Sequence, residues 1–203
     1  MALSQACVIL QDTSLIILAE TTDLIRIREH INVTPGKENK DRAKGWENNM
    51  VQKYVLETEG YRICFALNET QAAKESADVV VELVLNRHLG DVAVKSVPTL
   101  MTVRDLSRLV AYFEAHIARL QQHPDSESYV FVPLELGFQV QALAGEVQAG
   151  DDGEFSVRFF VKVGASSTAG HRVYIGGESV VTLKNLRVFL TSLHEALRSG
   201  HDV

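Results

Sequence analysis

Residues 102–117 read TVRDLSRLVAYFEAHI, and residues 182–197 read TLKNLRVFLTSLHEAL. In both stretches the apolar residues recur at intervals of three and four, the spacing that places them on one face of an α-helix. The matching apolar positions are Val103, Leu106, Leu109, Val110, Phe113 and Ile117 in the first stretch and Leu183, Leu186, Phe189, Leu190, Leu193 and Leu197 in the second. The sequence therefore predicts two equivalent amphipathic helices, each with one buried face.

Each predicted helix also has a start signal. Thr102 is followed three residues later by Asp105, and Thr182 is followed at the same distance by Asn185. A threonine hydroxyl at the N-cap accepts a hydrogen bond from a backbone N–H that the first turn leaves without a partner. We therefore expect both helices to begin directly after a threonine.

The segments before each helix have the alternation of apolar and polar residues that is typical of β-strands. The predicted strands are 56–67, 79–86 and 92–101 before the first helix, and 133–143, 155–162 and 171–181 before the second. Pro98 marks an edge or the end of a strand, because proline has no N–H to donate to a sheet. The same unit of three strands and a helix is thus written twice.

The predicted fold class is α+β, with two tandem strand-strand-strand-helix repeats that pack about a pseudo-twofold axis. Each antiparallel sheet is expected to be packed by one helix, and a single repeat would be marginally stable alone. The predicted division is an N-terminal β extension plus the first repeat at 1–122, a linker at 123–128, and the second repeat at 129–203. We expect the two halves to pack as one compact unit.

The N-terminal part of the chain lies outside the repeats. Apolar runs at 7–10, 15–18 and 24–31 predict short strands that extend the first sheet. A polar loop follows at 34–49, and it contains the lone tryptophan, Trp46. The basic residues around it are Lys37, Lys40, Arg42 and Lys44. Two interpretations stay open: Trp46 is an interface or base-stacking residue, or it packs on the core while the charged residues are solvated.

Composition narrows the class of protein. The chain of 203 residues is 46% hydrophobic, which is enough for a well-buried core. Its formal net charge of -6 gives no general attraction to nucleic-acid phosphates. Cys7 and Cys64 form no CxxC pair, and the N-terminus has neither a basic region nor a long uninterrupted apolar run. We therefore expect a cytoplasmic protein with reduced thiols and no membrane association.

The sequence contains no motif that predicts catalysis, a cofactor or a metal. GASSTAG at 164–170 is not the elbow that carries a serine nucleophile. The seven histidines lack the spacing that brings two imidazoles to one zinc ion. Asp151 and Asp152, between Gly150 and Gly153, are more typical of a turn between strands than of a calcium loop. We expect a protein that is not an enzyme and that needs no cofactor.

The order of motifs along the chain resembles one protein family. The succession is LETEGYRICFAL, SADVVVELVLN, VPTLMTVRDLSRLVAYFEAHI, FVPLELGFQV, FSVRFFVKV and VTLKNLRVFLTSLHEALRS. From residue 52 onward it resembles the WapI-like immunity proteins of bacterial polymorphic-toxin systems. The matching positions are Gly60, Tyr61, Ser76, Asp78, Pro98, Thr102, Asp105, Leu106, Pro133 and Leu134.

This resemblance implies a cytoplasmic bacterial protein that binds and neutralises a partner toxin. For the oligomeric state, a monomer and a homodimer both stay open. Recognition residues lie most often in loops at strand ends. On that ground the predicted partner-binding residues are Trp46, Arg42, Asp151 and Asp152. The alternative function is single-stranded nucleic-acid binding by a protein of Whirly-like or PUR-like topology. Its predicted contacts are Trp46, Lys40, Arg42 and Lys44.

Overall fold

The computed structural model of the protein describes two short N-terminal strands and most of the chain from Val51 onward. The described residues are 5–9, 15–20, 51–68, 76–148, 150, 152–163 and 173–199. The helices and strands in chain order are β1 (Gln5–Ile9), β2 (Leu15–Glu20), β3 (Val51–Glu57), β4 (Tyr61–Asn68), β5 (Ser76–Leu85), β6 (Ala93–Lys95), β7 (Thr99–Thr102), α1 (Val103–Leu120), β8 (Phe138–Val147), β9 (Gly153–Val163), β10 (Val173–Thr182) and α2 (Leu183–Ser199).

The strands form two antiparallel sheets. The first sheet has the order β3-β4-β5-β6, and β7 also pairs with β5. The second sheet has the order β1-β2-β10-β9-β8. Two antiparallel sheets with two helices confirm the predicted α+β class. The predicted strand at 92–101 is divided into β6 and β7 on either side of Pro98, whose ring removes the N–H that a continuous ladder would need.

The two N-terminal strands lie in the second sheet. β2 pairs with β10, and β1 pairs with β2. The expectation that the runs at 7–10 and 15–18 extend the first sheet is therefore wrong. An alternating apolar pattern shows which face of a strand is buried, but it does not show which open sheet edge the strand joins. The predicted strand at 24–31 and the predicted loop at 34–49 lie outside the described residues.

Both helices begin where the sequence predicted. The Thr102 hydroxyl accepts a hydrogen bond from the Asp105 N–H at 3.0 Å, and the Asp105 side chain bonds back to the Thr102 backbone, which completes a capping box. The Thr182 hydroxyl accepts from the Asn185 N–H at 3.3 Å. α1 then packs against β7 and β8, while α2 packs against β3, β9 and β10. Each helix therefore contacts strands of both sheets rather than one sheet alone.

A cluster of phenylalanine rings joins the two sheets to each other and to α2. Phe65 of β4 meets Phe138 of β8 and Phe159 of β9 edge-on, with ring centroids 5.3 Å and 5.9 Å away. Phe138 and Phe159 stack at 5.2 Å, and Phe189 of α2 lies 5.5 Å from Phe65. All four side chains are at most 1% exposed. One core thus runs from the first sheet into the second.

Replacing Phe65 by alanine should lower the free energy of unfolding by about 3–5 kcal/mol, because the change leaves a cavity that both sheets line. The matched control is Val188→Ala, at a side chain on α2 that is 65% exposed. This control should change the free energy of unfolding by less than about 0.5 kcal/mol. Urea denaturation followed by circular dichroism measures both, and a Phe65→Ala cost no larger than the control would contradict the shared core.

Candidate interaction surface

Among the contact residues predicted from the sequence, the structure describes Asp152. Those outside the described residues are Trp46, Arg42 and Asp151, together with Lys40 and Lys44 of the nucleic-acid alternative. Asp152 is exposed, and its carboxylate accepts a hydrogen bond from the Gly153 N–H at 3.0 Å. Gly153 has φ 121°, a left-handed backbone conformation that favours glycine. Asp152 therefore lies in the connection between β8 and β9, directly before β9 begins at Gly153, and this agrees with the predicted turn.

A surface segment that the sequence does not predict as a contact surface runs along the open edge of β8. We call residues 128–136 the strap. The Ser128 N–H donates to the Ala142 carbonyl at 2.9 Å. Phe131 and Val140 exchange two backbone hydrogen bonds of 2.8 and 3.1 Å, which makes an isolated antiparallel bridge. The strap is therefore held beside the second sheet by backbone bonds, although it is not a regular strand.

The first residue of the strap is fixed by a buried polar cluster. His116 Nε2 lies 3.0 Å from the Leu143 carbonyl, and His116 Nδ1 lies 2.8 Å from Ser128 Oγ. Because a carbonyl only accepts, Nε2 carries the proton and Nδ1 accepts from the serine hydroxyl. Arg119 donates to the same hydroxyl oxygen at 2.7 Å, and Gln141 donates to the Ser128 carbonyl at 3.1 Å. Every polar group in this cluster thus has a partner.

Burial keeps the histidine of this cluster neutral. The pKa of His116 is lowered to about 4, mainly by desolvation; the bond to the Leu143 carbonyl raises this pKa, and the nearby Arg119 charge lowers it. A serine beside a neutral histidine has the geometry of a nucleophile and its base. Here, however, His116 is 0% and Ser128 is 2% exposed. The pair is closed to a substrate in this structure, and its action is to anchor the strap to α1.

Some side chains of the strap point into the core, and others are exposed to solvent. Phe131 points inward, where it packs against Tyr112 and Phe138 with ring centroids 5.6 and 6.1 Å away, under the Arg108 guanidinium. The outward side chains are Tyr129, Val130 and Leu134, which are 92%, 49% and 72% exposed. These are three of the five large hydrophobic side chains that are exposed among the described residues. Exposed apolar groups are therefore concentrated on this segment.

A strained turn ends the strap. The Leu136 N–H donates to the Pro133 carbonyl at 3.0 Å, and Leu136 has φ 56°, an uncommon value for a residue with a side chain. The Tyr174 hydroxyl donates to the Leu136 carbonyl at 3.0 Å. A Cβ atom at Gly137 would lie only 2.5 Å from Thr99 Oγ1, so glycine lets the chain pack closely on β7. These contacts hold the turn in its strained form.

The solvent-exposed surface of the strap, together with the residues just before it in the chain, is acidic. Asp125, Glu127 and Glu135 are exposed. Arg108 pairs with Asp105 at 3.2 Å and lies over the Phe131 ring. Arg119 is exposed and keeps its charge, because its partner, the Ser128 hydroxyl, is neutral. Among these described residues the three exposed carboxylates outnumber the Arg119 charge, so the surface combines exposed apolar side chains with a net negative border.

Comparison of the sequence with protein-family models finds no match, and comparison with curated proteins finds none.

Neither of the two described helices is long and apolar enough to cross a membrane. Within the part of the chain that the structure describes, no group of three or more histidine, cysteine, aspartate or glutamate side chains is placed to hold a metal ion. Among the described residues, the strap with its exposed apolar side chains is therefore the candidate interaction surface.

The lowered pKa of the buried histidine predicts how the free energy of unfolding depends on pH. The pKa of His116 is about 4 in the folded protein and about 6.5 in an unfolded chain. Between these values the unfolded state binds more protons, so the free energy of unfolding should fall as the pH falls, by at most about 3 kcal/mol. Urea midpoints measured from pH 7 to pH 4 test this. A His116→Asn variant lacks the titrating group, and an unchanged pH slope in that variant would assign the effect to other residues.

Proposed function

We propose that this chain is a non-catalytic protein-binding module that uses the strap as a contact surface. The observation that carries the proposal is the exposure of Tyr129 and Leu134 on a segment fixed at both ends. Large exposed apolar side chains cost free energy in water and release it when a partner covers them. Tyrosine is also enriched among the residues that dominate protein–protein affinity.

We further propose that the partner is a toxin and that binding neutralises it in the cytoplasm. The order of motifs supports this, because it resembles the WapI-like immunity proteins. Leu134 is one of the positions that carry the resemblance, and in the structure it lies on the exposed turn of the strap. An immunity protein needs a stable scaffold and an accessible recognition surface, and it needs no cofactor or catalytic residue.

We also infer that the two halves arose by duplication and are related by a pseudo-twofold axis. Matching positions have matching burial: Leu106 and Leu186 are both buried, as are Val81 and Val157. α1 contacts β8 of the second half, and α2 contacts β3 of the first half, so each helix packs partly against the sheet of the other half. Duplication supports a scaffold role for the repeats and leaves recognition to segments such as the strap.

The proposal is tested with the protein encoded by the gene next to its own. We expect the two purified proteins to form a complex, and we expect co-expression to relieve any growth arrest that the neighbour causes. Tyr129→Ala and Leu134→Ala should each weaken the complex by about tenfold or more, which is typical of central contact residues, while the urea midpoint stays unchanged. Isothermal titration calorimetry measures the dissociation constants.

Val188→Ala is the matched control, because it truncates an apolar side chain on α2 whose exposure, 65%, is close to the 72% of Leu134. It should leave affinity unchanged. Equal losses from the control and the strap variants would remove the strap from the interface. Binding of a labelled single-stranded oligonucleotide at low salt, with no affinity for the neighbouring protein, would instead favour the nucleic-acid alternative.

A further inference from the structure

The backbone of the strap has one bonded side and one open side. Both backbone groups of Phe131 bond to Val140, so they face β8. Next to the Phe131–Val140 bridge the groups of neighbouring residues point in opposite directions, so those of Val130 and Val132 are placed on the side away from β8; the Ser128 N–H also bonds to β8, so the alternation is interrupted between Ser128 and Val130. No hydrogen bond joins them to another described residue. The strap is therefore an open edge at this end of the second sheet.

In the part of the chain that the structure describes, this edge lacks the features that usually protect an open strand from pairing. Natural edge strands are covered, twisted away, or carry lysines and inward-pointing charges. Here the side chains on either side of the open backbone are apolar, with Tyr129 at 92% and Val130 at 49% exposure. Only Pro133, directly after Val132, limits the length of the edge, because it has no N–H. The open stretch is therefore short, and it ends at the strained turn.

We propose that this edge pairs with an extended segment of the partner, which adds a strand to the second sheet through Val130 and Val132. The proposal rests on the function proposed above and names the chemistry of the partner. The added segment is apolar where it meets Tyr129 and Leu134, and it carries lysine or arginine where it meets the acidic border. That border consists of Asp125, Glu127 and Glu135. Main-chain bonds supply affinity in this mode of recognition, and side-chain matching supplies specificity.

The test uses a fluorescent nine-residue peptide of alternating lysine and valine, with an alternating glutamate and valine peptide as the charge control. We expect the basic peptide to bind, the acidic one to bind at least about tenfold more weakly, and binding to weaken as salt rises. Val130→Pro removes an outward N–H and should weaken binding by about tenfold, whereas Val130→Thr keeps the N–H and should bind like the original protein. Fluorescence anisotropy gives the dissociation constants.

A second measurement does not depend on the proline variant folding. On adding the basic peptide to the unaltered protein, hydrogen exchange at the Val130 and Val132 amides should slow, while exchange at the Val188 amide stays the same. Failure of the basic peptide to bind, equal binding of the acidic peptide, or unprotected amides would each overturn the proposal. If the free protein is a dimer and Val130→Pro dissociates that dimer, a second copy of the chain occupies the edge. This result would also overturn the proposal.

The two proposals fail in different ways. If the neighbouring protein binds and the complex depends on Tyr129 and Leu134, the proposed function stands. In that case, if Val130→Pro does not change the affinity for the neighbouring protein, strand addition is excluded and the proposed function is kept. If the neighbouring protein does not bind at all, the proposed function falls first, whatever the peptides do.

Discussion

The contact of Phe65 with the stacked rings of Phe138 and Phe159 is the interaction on which the rest of the structure depends. Each sheet has an apolar face, and a single helix is too narrow to cover a sheet face of several strands. The rings place the apolar faces of the two sheets against each other, and Phe189 brings α2 into the same core. With the sheets fixed in this way, α1 comes to lie against β8, and its polar residues reach the strap.

The sequence predicted the parts of the fold that depend on local periodicity. Helix bounds followed from apolar spacing and from Thr102 and Thr182, because caps and faces are local properties. Which strands pair with each other was not predictable, because an alternating pattern of apolar and polar residues does not specify the sheet edge that a strand joins. For that reason the sequence predicts the wrong sheet for β1 and β2, and it does not predict that each helix contacts both sheets.

The candidate surface was harder to predict for the same physical reason. The sequence SYVFVPLELG has an unbroken apolar run from Tyr129 to Leu134, which is equally typical of a buried strand, and the sequence predicts a strand at 133–143. Only the bonds made by Ser128 and Phe131 determine that Tyr129 and Leu134 face solvent. A signal was present in the sequence, because apolar neighbours on both faces of a segment that ends in Pro133 cannot all be buried against one sheet.

The polar cluster and the strained turn have a common consequence for binding. A buried histidine and serine contribute less to stability than packed apolar groups would, but their directional bonds specify one position for the start of the strap. A non-glycine residue with positive φ costs roughly 1–3 kcal/mol and persists only where surrounding contacts over-determine it, as the Tyr174 hydroxyl does at Leu136 and the close packing on Thr99 does at the next residue, Gly137. A segment fixed at both ends has little conformational entropy left to lose, whereas ordering a mobile side chain at an interface costs about 0.5–1.5 kcal/mol. The free energy stored in the strained turn is thus comparable to the ordering cost that a rigid strap avoids when a partner binds.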